Sequence, residues 1–352
     1  MNKYQPPRGI RDYASTEASA FIDTEELLTE IAYSQGFEFV SPASIDFSYI
    51  SDFNEISKER RYELSDKKGR ELTLATDSAL SMMRIAAAKS LVNGQYFCKQ
   101  KVYRYRRKPY RAWTQFTFFY LGIDNENYIL NSIFKIILKI SKLFAIEEPH
   151  FAIEFHDTPR KGFVYTLNLE DIVRLLEAQK KDLKSSKLSL RELIFENFGS
   201  QFNPKFGNPS YTRFSFRAYD INDRCWLEGG NYNREINSFT DGKYNCATSF
   251  CLGLDLFSKN FPLRKKKSEL LILIDQDDLY YISHKIDYII DKCSTGYDKF
   301  SIKYVSKKER GRLISNMVIF YDEIIFIDDD SLKRGTFTTF SIKNRKGNKN
   351  IY

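Results

Sequence analysis

QYFCKQKVYRYRRKPYRAWTQFTFFYLG, residues 95–122, is the stretch on which the fold turns. Two aromatic-rich runs, Gln95 to Tyr105 and Thr114 to Gly122, flank a basic loop from Arg106 to Arg111. Runs of aromatic and β-branched residues of this length read as strands, so two strands joined by a cationic loop are expected. Upstream, Asp77 to about Leu91 is expected as a helix. Before it lies a hairpin from Tyr62 to Leu74 around the turn Asp66-Lys67-Lys68-Gly69. A helix from Thr16 to Gln35 carries apolar residues at helical spacing (Phe21, Leu27, Leu28, Ile31, Ala32) and ends at Gly36; a short strand, Phe37 to Val40, follows and stops at Pro42.

Downstream, a helix over Ile129 to Phe144 returns to a strand at Phe151 to Phe155. Asn168 with Asp171 three positions on marks the start of a helix running to about Leu183. The basic stretch Lys180 to Lys187 and the segment Phe195 to Asn208 read as an inserted region, about 157–208. Strands resume at Phe214 to Ile221 and near Cys225 to Glu228, and Gly229-Gly230 then leads into Tyr232 and a last strand and helix over Ser249 to Leu256. A charged joint, Arg264-Lys265-Lys266-Lys267, separates a first domain (1–263) from a tail (268–352). Strands at Leu270 to Ile274, Lys299 to Tyr304, Ile324 to Ile327 and Gly335 to Ile342, with helices between them including Leu279 to Cys293, make the tail a small α/β unit.

Hydrophobic residues make up 42% of the 352, and aromatics 15%, which excludes a disordered chain and leaves room for two cores. The most apolar stretch, Ile129 to Ile146, is interrupted by Asn131, Lys135, Lys139 and Lys142, so no membrane span is expected. Asn2 to Arg11 is polar and lacks a signal-peptide core, and a cytoplasmic protein is expected. Five cysteines (Cys98, Cys225, Cys246, Cys251, Cys293) without paired spacing read as free buried thiols. With three histidines (His150, His156, His284) they make no zinc pattern. The net charge of +8 fits either a polyanionic partner or a Lys-rich composition, and by itself chooses neither. There is no phosphate-binding glycine loop, no Ser/His/Asp pattern and no glycine-framed cysteine.

The order of the remaining motifs carries a resemblance. Pro7-Arg8-Gly9-Ile10-Arg11-Asp12-Tyr13 resembles the N-terminal arginine-glycine…aspartate-tyrosine signature of the histidyl-tRNA synthetase family, and Gly36 to Pro42 its dimer-forming first motif. Val102 to Arg106 with Tyr110 to Gln115 resembles the second motif with its loop shortened. Gly229-Gly230-Asn231-Tyr232-Asn233 resembles the glycine-glycine-x-tyrosine-aspartate element, and Phe250 to Leu256 the third motif. Asp328 to Arg345, with Gly335-Thr336-Phe337-Thr338, resembles the anticodon-binding domain. The resemblance covers most of the chain and extends to the paralogous regulatory subunit of ATP phosphoribosyltransferase. It implies an α+β fold, a class II synthetase antiparallel sheet of six or seven strands flanked by helices, with the small α/β tail and a homodimer.

The same resemblance implies a site. Arg104 stands where the second-motif arginine grips the α-phosphate, and Arg111 could supplement it. Asp77 matches the carboxylate for the substrate ammonium; Gln115, Tyr211, Gly229, Gly230 and Tyr232 match other pocket positions. Four positions depart: Arg106 where an acid meets the adenine amino group, Leu256 and Phe206 where arginines meet the reacting groups, and Phe119 where a glutamate meets an imidazole. An apolar side chain supplies neither charge nor forked donors, and losing one transition-state donor costs about 3 kcal/mol. The expectation is therefore a catalytically degenerate paralogue: a regulatory subunit of ATP phosphoribosyltransferase in histidine biosynthesis that binds a small ligand such as an amino acid. A divergent synthetase or ligase adenylating a carboxylate, using ATP with Mg, stays open as an alternative. So does a module binding RNA or a protein partner through its C-terminal domain. No other cofactor or metal is implied.

Overall fold

The computed structural model describes residues 4–54, 56–105, 110–158, 162–182, 188–203, 206, 210–261, 269–275, 299–306, 323–328 and 338–341. The chain divides into two compact units, Met1–Arg264 and Lys265–Tyr352. The first runs α1 (Ser15–Ser34), β1 (Glu38–Phe39), β2 (Ile45–Phe47), β3 (Glu63–Ser65), β4 (Glu71–Leu74), α2 (Ser78–Lys89), β5 (Gly94–Tyr103), β6 (Ala112–Leu121) and α3 (Glu126–Leu143). It continues with β7 (His150–Phe155), β8 (Phe163–Asn168), α4 (Leu169–Asp182), α5 (Leu190–Asn197), β9 (Ser200–Phe202), β10 (Phe214–Tyr219), β11 (Cys225–Asn231), α6 (Asn233–Phe239), β12 (Ala247–Gly253) and α7 (Leu254–Asn260).

Strands β5 and β6 pair antiparallel from Gly94↔Leu121 to Tyr103↔Ala112. The run Phe116 to Leu121 lacks a polar alternation because both of its faces are covered. Phe116, Phe118 and Tyr120 enter a core built with Leu28 and Ile31 of α1, Ile133 and Ile137 of α3, Ile172 of α4, Ile194 of α5 and Phe257 of α7. Phe119 and Leu121 point the other way, into a smaller cluster with Met82 and Met83 of α2 and Ile236 of α6. α3 is capped by Asn125, whose side chain accepts from Tyr128 N at 3.0 Å, and its lysines 135, 139 and 142 stay exposed while its isoleucine face is buried. Among the described residues no helix is long and apolar enough to cross a membrane.

The sheet has nine strands, in the order β1-β5-β6-β12-β11-β10-β7-β8-β9, rather than six or seven. All neighbours are antiparallel except β1, which runs parallel to β5. Strands β8 and β9 come from the stretch expected as an inserted region. Strand β8 pairs with β7 from His150↔Asn168 to Glu154↔Val164, and its Tyr165 and Leu167 are wholly buried in the main core. Thr166, between them and on the opposite face, is exposed, as a half-buried strand requires. Asn168 and Asp171 cap α4 reciprocally: Asp171 N donates to Asn168 Oδ1 at 2.9 Å, and Asn168 N to Asp171 Oδ2 at 3.0 Å.

A separate three-stranded sheet, β2-β4-β3, contains the expected hairpin. Asp66 Oδ1 accepts from Lys68 N and Arg70 N at 2.8 and 3.0 Å, and Gly69 takes φ +75° to close the turn. The second unit is a four-stranded sheet of β13 (Glu269–Asp275), β14 (Lys299–Val305), β15 (Glu323–Ile327) and β16 (Thr338–Ser341). Strand β13 lies parallel to β14 and β15, and its residues Leu270 to Ile274 are all buried, the continuous apolar run of a central strand. The expected helix Leu279 to Cys293, the short helix before β15, the joint Arg264 to Lys267 and Gly335 to Phe337 lie outside the described residues. Cys98, Cys225, Cys246 and Cys251 are free thiols, but only Cys98 and Cys246 are buried; Cys251 is half-buried, Cys225 is exposed because it opens β11 at the end of a turn, and Cys293 lies outside the described residues.

Since β8 completes the main core, Leu167→Ala is expected to destabilise the first unit by about 2–5 kcal/mol. Thr166→Ala, on the exposed face of the same strand, should stay within about 1 kcal/mol. Denaturant midpoints followed by tryptophan fluorescence check this.

Candidate functional site

Alternation along β6, β12 and β11 puts Gln115, Thr117, Ser249, Cys251, Glu228 and Gly230 on the same face, opposite the main core; in register, Glu228 faces Cys251 and Cys251 faces Thr117. The start of α2 closes one side of that face. Asp77 caps α2 with Oδ1 accepting from Ala79 N at 2.9 Å, and its Oδ2 accepts from Arg104 Nη2 at 2.7 Å. Arg104 also donates from Nε to Thr76 O at 2.8 Å. Gln115 Oε1 accepts from both Ser78 N (2.9 Å) and Ser78 Oγ (2.8 Å), and its Nε2 lies 3.7 Å from Cys251 Sγ.

Two adjoining cavities open on this face. The inner one, about 70 Å³, is lined by Asp77, Ser78, Arg104, Gln115, Tyr211, Glu228, Tyr232 and Cys251 among others. The outer one, about 390 Å³, is lined by Arg104, Tyr110, Trp113, Gln115, Glu228, Cys251 and Leu256 among others. The outer volume lies within the range of small-molecule pockets and the inner falls well below it. Tyr211 and Tyr232 meet edge to face with ring centroids 4.9 Å apart and hydroxyls at 3.4 Å. Burial raises both phenols above their ordinary range and does the same to the Cys251 thiol, so all three are neutral at physiological pH.

Gly229 and Gly230 are required by close approach. A Cβ on Gly229 would sit 2.3 Å from Phe250 Cβ, and one on Gly230 2.4 Å from the Tyr211 ring and 2.8 Å from Phe214 O. The N-terminal segment braces the outer rim. Gly9 O accepts from Arg111 N at 2.8 Å, and Tyr13 donates to Asp255 Oδ1 at 2.5 Å while Thr114 N donates to Asp255 Oδ2.

No family model matches the chain. It is similar in sequence to the histidine–tRNA ligase of Mycoplasma pneumoniae, 27% identical over 38% of this chain and 35% of that enzyme. The histidine–tRNA ligase of Sulfurovum sp. is 20% identical over 94% of each. The chain thus spans about a third to a half of the length of the first curated relatives it matches, at 35% and 47%. Among solved structures, an ATP phosphoribosyltransferase regulatory subunit/histidyl-tRNA synthetase from Bacillus halodurans superposes with TM-score 0.67 at 15% identity, over 93% of this chain and 98% of that one. The apo histidyl-tRNA synthetase of S. aureus superposes with TM-score 0.64 at 15% identity, over 97% and 98%. The chain has the histidyl-tRNA synthetase fold.

Within that fold the positions singled out from sequence separate into two groups. Asp77, Arg104, Gln115, Tyr211 and Tyr232 line the inner cavity together, and the two glycines bring β11 against β12 and Tyr211 beside it. Arg111 does not line either cavity; its guanidinium stacks over the Tyr105 ring at 4.1 Å, held there by the Gly9 contact. Leu256 opens into the outer cavity. Phe206 is buried beside Ala152 and Val164, under the Arg217 guanidinium at 4.9 Å, and Phe119 is sealed beneath α2. Arg106 lies outside the described residues. Arg104 is the one cation among the described residues lining either cavity, and it is paired with Asp77.

Sequence reasoning passes over Glu228, Trp113, Tyr110, Ser78 and Cys251 as lining residues. For Glu228 a signal exists: two positions before Gly230 on one strand, it has to share the pocket face. A second constellation also escapes it. His156 Nε2 lies 3.0 Å from Ser215 Oγ, and His156 Nδ1 3.4 Å from Glu154 Oε1, residues that only the β7–β10 pairing brings together. Ser215 is buried and lines neither cavity, so this trio braces the sheet.

Because Asp77 serves as cap and as counter-ion, Asp77→Ala is expected to destabilise by about 1–2 kcal/mol through the cap alone. Asp77→Asn keeps an acceptor at the cap and should lose less. Urea unfolding of the two variants side by side measures the difference.

Proposed function

We propose that this chain is a catalytically degenerate histidyl-tRNA synthetase paralogue that binds a small ligand in the Asp77–Gln115–Tyr232 cavity and acts as a regulatory subunit for the catalytic chain of ATP phosphoribosyltransferase. The observation that carries it is the Arg104–Asp77 pair at 2.7 Å, which engages the cavity's own cation, with Leu256 on the outer wall. Amino-acid activation needs cations free to meet charge building on the phosphate. An amino acid, by contrast, can replace the pair group for group, its carboxylate taking Arg104 and its ammonium Asp77. The likeness to the Bacillus halodurans protein, named as an ATP phosphoribosyltransferase regulatory subunit/histidyl-tRNA synthetase, supports the regulatory half of the reading.

A divergent synthetase or ligase is the second reading. The retained Arg104 and Gln115, and the names of the sequence relatives, favour it. ATP–pyrophosphate exchange separates the two: the expected result is exchange at background with histidine and every other amino acid. Exchange well above background would replace the regulatory reading with the ligase.

The proposal includes a homodimer through the segment Gly36 to Pro42 and the sheet beside it. The exposed Phe39, Ile45, Phe47 and Tyr49 lie on β1, β2 and the turn that follows, an apolar group that a second copy would cover. Light scattering after size exclusion is expected to give twice the chain mass, and Phe39→Asp with Phe47→Asp to give the monomer. A wild-type monomer at micromolar concentration would remove the dimer from the proposal.

A further inference from the structure

Ser249 lines the inner cavity, is 3% exposed, and its hydroxyl has no hydrogen-bond partner among the described residues. A buried hydroxyl in that condition is stabilised by a partner that a ligand brings. Ser249 on β12 stands across from Gly230 on β11 and Phe119 on β6, so its side chain shares the cavity face with Thr117 and Cys251. Tyr211 lines the same cavity; its hydroxyl accepts from Tyr232 at 3.4 Å and keeps its own proton for an acceptor. Asp77 and Arg104 meet there at 2.7 Å, one carboxylate with one guanidinium. A ligand carrying one ammonium and one carboxylate exchanges into that pair without leaving either charge uncompensated.

Size limits the ligand further. At about 10–15 Å³ per water-sized atom, a cavity of about 70 Å³ holds roughly five to seven non-hydrogen atoms. Serine falls in that range, and histidine and the aromatic amino acids fall well outside it. The walls are braced against widening. Ser78 holds Gln115 through N and Oγ at 2.9 and 2.8 Å, the Tyr211 ring sits where a Cβ on Gly230 would be 2.4 Å away, and the Tyr232 ring meets Tyr211 edge to face. We propose that the inner cavity binds a small hydroxyl-bearing α-amino acid, serine, with its ammonium on Asp77, its carboxylate on Arg104 and its side-chain hydroxyl between Ser249 and Tyr211. The inference rests on the ligand-binding reading above and narrows it from amino acids in general to one with a compact polar side chain. Ser249 is the specificity-determining residue: a site that pairs a ligand hydroxyl rejects the analogue lacking it, because its own polar groups are then left unpaired. A larger side chain seated on the Asp77–Arg104 pair has to leave by the outer cavity, and it too leaves Ser249 without a partner.

Titration calorimetry on the full chain with L-serine, L-alanine and L-histidine tests this. Wild type is expected to bind serine roughly tenfold more tightly than alanine, and histidine more weakly than either. Ser249→Ala removes a hydroxyl that no described residue uses, so its melting temperature should match wild type. The substitution is expected to weaken serine binding about tenfold while alanine affinity stays within about twofold. Histidine or alanine binding as tightly as serine, or serine affinity unchanged in Ser249→Ala, would overturn the serine assignment and leave the ligand-binding reading standing. If none of the three amino acids binds, both fall together.

Discussion

Asp77 holds two neighbours at once, the first turn of α2 through Oδ1 and the Arg104 guanidinium through Oδ2. The cap orients α2, which in turn presents Ser78 to Gln115 and closes the inner cavity. The ion pair ties the end of β5 to the same point, so the width of the cleft and the charge inside it have a common origin. A guanidinium committed in this way is not free to meet phosphate. Because the pair is only partly exposed, it is screened less than a surface pair and has to be displaced by groups of matching charge.

That local arrangement rests on a sheet buried on both sides. The main core needs Phe116, Phe118 and Tyr120 facing α1 and α3, and this forces Gln115, Thr117 and Phe119 onto the opposite face. Polar residues survive there only where they bond one another or line the cavity: Ser78, Thr117 and Gln115 form one such chain. Glu228 owes its position to the same rule two strands away, since the glycine pair that lets β11 approach β12 also sets which of its side chains look into the cleft.

The nine strands show where a template misleads. The stretch 157–208 reads as an insertion because its basic and polar residues interrupt the motifs on either side. Its buried positions, Tyr165, Leu167, Ile172 and Ile194, belong instead to the principal core. Motif order draws the eye to Lys180 to Lys187 and away from the alternation of β8, a strand of six residues.

Periodicity and capping chemistry, both local, determined α1, α2, α3, α4 with its Asn168–Asp171 cap, the β3–β4 turn and the β5–β6 pair directly from the residues. Motif order, which survives where identity is low, marked Asp77, Arg104, Gln115, Tyr211 and Tyr232 as one group. Tertiary structure alone decided that Arg104 is paired with Asp77, that Arg111 stacks on Tyr105 outside the cavities, and that Glu228 stands between two lobes of unequal size. The physical reason is range. A cap or an alternation is settled within a few residues, whereas the charge of a cleft depends on side chains more than a hundred positions apart that meet only when β5, β6, β12 and β11 lie side by side.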